Sequence, residues 1–183
     1  MMVVHRMTDA EEIDYSKLLR AVPLLEGLPS DAIVEIVEIS RLYHAREDSI
    51  LFEVGDLPLG LLFLISGRVT RTHKLPSNEV LTVSKIEAGH VVGGIEFLTG
   101  EPYAYRATMS EDGLIFRVDM AGFRELQEAG HGAVSHLSRV LGVELEQRTT
   151  GIAERIFGIF EQPEVALTHF EALTLKHIQT AKL

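Results

Sequence analysis

The chain has no cysteine and no tryptophan among its 183 residues. Without thiols there is no disulfide framework, no thiolate zinc, no cysteine-held iron–sulfur cluster and no cysteine nucleophile. A reducing compartment fits, and a cytoplasmic location is expected. Long apolar runs are missing as well. The longest, Leu57 to Ser66, is broken by Pro58 and Gly60. It falls short of the roughly 20 residues that cross a bilayer, so no membrane association is expected. The opening segment, MMVVHRMTDAEEIDY, turns acidic at once and lacks the apolar stretch of a secretory signal. Positive charge is scarce: 17 Lys and Arg face 27 Asp and Glu, for a net charge of −10. Nucleic-acid affinity comes largely from clustered cations that release counterions. Here the cations are scattered, and direct DNA binding is not expected.

What is present is apolar enough to fold, with 46% hydrophobic residues. Tyr15, Leu18, Leu19 and Val22 stand at helical spacing up to Pro23. Leu28-Pro29-Ser30-Asp31 opens a second helix, with Ser30 expected as its N-cap. Ile33, Val34, Ile36, Val37 and Ile39 predict that this helix is mostly buried. From Leu42 to Val118 short apolar stretches alternate with turn signals: Asp48-Ser49, Gly55-Asp56, Gly67, Pro76-Ser77-Asn78, Ala88-Gly89, Gly100 and Glu111-Asp112-Gly113. That texture predicts an all-β sandwich or roll. After Asp119 the pattern turns helical. Phe123 and Leu126 mark a short helix that Gly130-His131-Gly132 ends. Val134, Leu137, Leu141, Leu145, Ile152, Ile156 and Ile159 then form one stripe on a long helix. A last segment, Glu164 to Lys182, reads as a terminal helix.

Two stretches carry chemistry. Ile50 to Val69 reads ILFEVGDLPLGLLFLISGRV, and Val92 to Thr108 reads VGGIEFLTGEPYAYRAT. Together they resemble the two halves of a cyclic-nucleotide-binding domain of the catabolite-activator and protein-kinase-A regulatory type. The second half is similar to that family's phosphate-binding cassette, typically FGELALLTGEPRSAT, without gaps from Gly93 to Pro102. The resemblance covers about Leu18 to Ile159. It implies a jelly roll, mainly β with flanking helices (an α+β, double-stranded β-helix fold). Residues 1–41 are N-terminal helices, 42–123 the roll, 124–162 a long dimerisation and hinge helix, and 163–183 a tail.

The resemblance also implies a site at Gly93, Gly94, Ile95, Glu96, Tyr103, Ala104 and Arg106. In the family, backbone amides at a helix start surround the cyclic phosphate, where unpaired N–H groups favour an anion. Two residues depart from the pattern. Gly94 stands where the family has the Glu that binds ribose. Tyr103 stands where it has the Arg that grips phosphate, and a phenol cannot make that two-pronged charged contact. Arg106 replaces the missing Arg only if the segment slips by three residues, setting Arg106-Ala107-Thr108 on RSAT. The expected ligand is a cyclic nucleotide, cAMP or cGMP, or another small anion; the other reading is a domain that keeps the cassette as structure alone.

Other chemistries have less behind them. His90, His131 and His136 show no His-x-His spacing of a cupin-like metal enzyme, so neither a metal nor catalysis is expected. Gly89 to Gly94 is no dinucleotide-binding loop. Glu11-Glu12 and Glu111-Asp112 read as solvated charge. The long-helix stripe predicts a homodimer through Leu137, Leu141, Leu145, Ile152 and Ile156; a separate protein partner is also open. Only about twenty residues follow Pro163, too few for the family's winged helix-turn-helix. The reading is a regulatory ligand-sensing domain that signals through its C-terminal helix. Its alternatives are a ligand-free dimeric interaction module and, more remotely, the cupin-like enzyme.

Overall fold

The computed structural model describes residues 5–6, 18–19 and 22–161, with side chains to Glu146. Most of the helix expected before Pro23, the terminal helix after Pro163 and the side chains of Ile152 and Ile156 lie outside the described residues. The chain divides into two compact units, Met1–Glu144 and Leu145–Leu183.

The first unit is a roll of two antiparallel sheets. One sheet has five strands: β1 (His5–Arg6), β2 (Ser40–Ala45), β4 (Gly60–Leu64), β7 (Val91–Val92) and β9 (Gly113–Asp119), in the order β1-β2-β9-β4-β7. The other holds β3 (Ile50–Phe52), β5 (Arg68–Lys74), β6 (Val80–Glu87) and β8 (Arg106–Glu111), in the order β3-β8-β5-β6. The helices are α1 (Ser30–Glu38), α2 (Gly94–Thr99), α3 (Met120–Glu128) and α4 (Gly132–Glu161). The N-terminal segment is thus not helical throughout, because His5 and Arg6 pair with His44 and Tyr43 on β2.

Period-two alternation gives the five-stranded sheet two apolar faces. Leu42, Leu61, Phe63, Phe116 and Val118 pack against the helices, with Leu19, Ile33, Ile36, Phe123, Leu137 and Leu141. Ala45, Leu64, Val92 and Ile115 face the other way. They meet Phe52, Val69, Ile86, Ala107 and Met109 of the second sheet. Expected turns form as their residues require. Gly55 and Gly67 take φ of 89° and 85°, and Asp48 and Asn78 take 63° and 70°. Asn78 lies in the tip between β5 and β6, where Leu75 N–H donates to Glu79 O at 2.8 Å.

Two local expectations are corrected. α1 begins at Ser30 itself, with Pro29 in the capping position, since the rigid proline sets the extended entry one residue earlier. That helix is one-sided rather than mostly buried. Ala32, Ile33 and Ile36 face the core, but Val34 is 52% exposed.

Gly113 shows how tightly the roll closes. A Cβ there would overlap the backbone carbonyl of Ser66. Gly113→Ala is expected to cost about 1–3 kcal/mol, because neither strand end can withdraw. Urea unfolding should show a lower midpoint at an unchanged slope.

Candidate functional site

A short helix forms within the segment that resembles the cassette. Gly93 turns the chain out of β7 with φ 77°, and α2 starts at Gly94. Gly100 closes the helix with φ 74°, its N–H donating to Glu96 O at 2.8 Å. Ile95 is 52% exposed. Glu96 and Phe97 are buried, and Phe97 meets Phe123 of α3 edge-on at 4.9 Å. Gly94 brings α2 against α4, since a Cβ there would stand 3.3 Å from Leu141 Cδ2 and 3.2 Å from Val91 Cγ1.

Tyr103 is a core residue, only 4% exposed. Its ring lies face to face on Phe52, with centroids 3.5 Å apart and planes 7° apart. A Cβ on Gly93 would stand 2.7 Å from Tyr103 Cε1 and 3.1 Å from its hydroxyl. Space and backbone conformation therefore both demand glycine at position 93. The Tyr103 backbone is zipped to the turn after β3: its N–H donates to Asp56 O at 2.9 Å, and Gly55 N–H donates to Tyr103 O at 2.8 Å. Burial pushes the phenol well above its ordinary pKa, with smaller contributions from Tyr105, Glu96 and Asp56.

The remaining candidates part company with Tyr103. The Ala104 carbonyl lies 3.0 Å from His73 Nδ1, which donates to it. Arg106 starts β8 opposite Thr72, and its Nε pairs with Glu53 on the surface at 2.6 Å. That pairing holds the Arg106 guanidinium above its usual pKa.

The structure adds residues that sequence reading missed. Arg71 stands two residues from the buried Val69 on β5 and so shares its inward face. Its Nε donates to Ser84 Oγ at 2.6 Å, and its guanidinium lies over the Tyr105 ring at 4.7 Å. Tyr105 meets Phe52 edge-on at 5.5 Å. A cation on β5 therefore stands one aromatic ring away from Phe52, the stacking partner of Tyr103. The signal was the strand period, hidden by the habit of reading Arg as solvated.

His90 is exposed, and its Nδ1 is 3.4 Å from the buried Glu144 of α4. His131 Nδ1 is 2.8 Å from Glu35 of α1, and that hydrogen bond lowers the Glu35 pKa. Among the described residues, no group of three or more His, Asp or Glu stands together as a metal would require. No described helix is long and apolar enough to cross a membrane.

Leu137 and Leu141 correct the expected dimer seam. They are 0% and 1% exposed within the chain's own core, so neither has surface to offer a partner.

The architecture has wide precedent. A cyclic nucleotide-binding domain from Methylobacillus flagellatus aligns at TM-score 0.67 and 18% identity, over 78% of this chain and 80% of that one. The catabolite activator protein of Thermus thermophilus aligns at 0.61 and 17%, over 73% of this chain and 61% of that one. The regulatory domain of Toxoplasma gondii PKA, solved with cAMP, aligns at 0.59 and 17%, over 75% and 49%. No curated protein matches the sequence. The cyclic nucleotide-binding domain family matches over residues 42–129. These residues span β2 to α3 and hold both the cassette and its aromatic neighbours, and they belong to the cyclic nucleotide-binding domain family.

Proposed function

We propose that the chain is a regulatory, non-catalytic sensor domain whose cyclic-nucleotide affinity is weak or lost, and that it signals through α4. The observation that carries this reading is the Tyr103 ring, packed between Phe52 and Gly93. The family's guanidinium would occupy that position. A neutral buried phenol supplies neither the charge nor the paired donors that a phosphate needs. Gly94 supplies no carboxylate for a ribose hydroxyl. Loss of one charged contact weakens binding by about 1.5–3 kcal/mol, on the order of tenfold to a hundredfold.

A route from cassette to helix supports the signalling part. Gly94 packs on Leu141, and His90 of the preceding turn touches Glu144. Both contacts reach the same face of α4, so a ligand that moved the cassette would bias that helix. The same burial of Tyr103 favours the second reading, a ligand-free interaction module in the cytoplasm.

Calorimetry with cAMP and cGMP tests both. The wild-type protein is expected to show no submicromolar binding of either nucleotide. Tyr103→Arg should strengthen binding at least tenfold if the rest of the cassette is competent. Submicromolar wild-type affinity for cAMP would overturn the proposal. No response to Tyr103→Arg in a folded protein would leave the interaction module.

A further inference from the structure

The interior of the roll stays open on the far side of the Phe52–Tyr103 stack. A cavity of about 440 Å³ lies there between the two sheets. Its apolar wall comes from Ala45, Leu51, Phe52, Leu62 and Ile115, closed on one side by Tyr103. The turn after β3 also lines it, and that turn exposes two leucines. Leu57 is 62% and Leu59 is 74% exposed. Exposed leucines beside an apolar cavity are the usual rim of a site that takes an apolar molecule.

The polar groups choose the ligand's charge. Asp56 is engaged in its own turn, its carboxylate accepting the Glu53 N–H at 2.8 Å. Arg117 lies cross-strand from Leu62, over the Tyr43 ring at 4.8 Å, and its Nε donates to Asp119 at 2.7 Å. Arg41 reaches the same carboxylate at 3.3 Å. Asp56 and Arg117 are the charged residues of the cavity wall, and Arg41 offsets part of the Asp119 charge beside Arg117. The rest of the Arg117 fork still has donors to offer.

We propose that this cavity binds an amphipathic organic anion, with an apolar chain or ring system between the sheets and its carboxylate or similar head on Arg117. One water's share of liquid is about 30 Å³, so the space suits a ligand on the order of fifteen heavy atoms. The site is separate from the cassette. It shares the Phe52–Tyr103 wall with the cassette, so occupancy on one side is felt on the other.

Dodecanoate has the right size and head, and dodecanol is its neutral counterpart. Displacement of anilinonaphthalene sulfonate from the full chain reads the binding of both. Wild-type protein should bind dodecanoate saturably, at one per chain, and at least tenfold tighter than dodecanol. Arg117→Gln should erase that preference. Leu62→Trp, which fills the cavity, should abolish binding of both probes. Leu59→Asp changes only the exposed rim and should weaken binding at least tenfold with an unchanged thermal midpoint, so it decides the matter if Leu62→Trp does not fold. The proposal is overturned if wild-type protein shows no saturable binding or no preference for dodecanoate. It is equally overturned if Leu59→Asp and a folded Leu62→Trp bind as wild type does.

Discussion

Tyr103→Ala should lower stability by about 3–5 kcal/mol, the usual cost of deleting a fully buried aromatic ring. The residue is 4% exposed, and its ring is the partner of Phe52 and the neighbour of Gly93. Tyr103→Phe keeps the stack and should cost less than about 1.5 kcal/mol. Chemical unfolding of the two variants separates a core role from a polar one: a large loss in Tyr103→Phe would contradict it. The phenol also makes stability depend on pH. Burial raises its folded pKa above the value of about 10 that an unfolded tyrosine has. Above that pH the unfolded chain releases the proton while the folded chain keeps it, so stability falls as pH rises. Below it, the stabilisation is fully present. The alkaline loss should therefore be smaller in Tyr103→Phe than in wild type.

Tyr103 is thus part of the fold here. Its ring stands between the Gly93 turn on one side and the apolar cavity on the other. The cations that remain inside the roll, Arg71 and Arg117, come from strands rather than from the cassette. Each stands over a tyrosine, and each is anchored by one short hydrogen bond. Both guanidinium groups sit where an aromatic face tolerates charge.

The roll was legible because its turns need particular residues. Gly55, Gly67 and Gly93 take positive φ, as do Asp48 and Asn78, and those conformations leave a mark in sequence. The turn at Gly93 into α2 was legible for the same reason. Arg71 and Arg117 were not, because Ser84 and Tyr43 are brought to them by sheet register, which a linear pattern does not specify. Val34 misled because a β-branched apolar residue on a helix reads as core wherever it falls. The long-helix stripe misled in a different way. An apolar stripe that packs on its own sheet has the same spacing as one that packs on a twin helix. Burial of Leu137 and Leu141 assigns the first half of the stripe to the chain's own core.

The second half is where dimerisation is expected. α4 continues to Glu161, and after Glu144 the sequence repeats Leu145, Ile152, Ile156 and Ile159 at spacings of seven, four and three. A helix with that spacing pairs well with its twin, since the same face meets itself across a two-fold axis. Ile152→Glu would set a carboxylate in each half of such a seam. Burying an unpaired charge costs several kcal/mol, so the dissociation constant should rise on the order of a thousandfold or more. The substitution lies eight residues past the end of the first unit, Met1–Glu144, so thermal unfolding of the roll should be unchanged. Light scattering at about 50 μM, below the wild-type transition, is expected to give a dimer for the wild type and a monomer for Ile152→Glu, at a concentration chosen to exceed typical micromolar dissociation constants. A wild-type monomer would refute the seam. A dimer that survives Ile152→Glu would move the interface to another face of the chain.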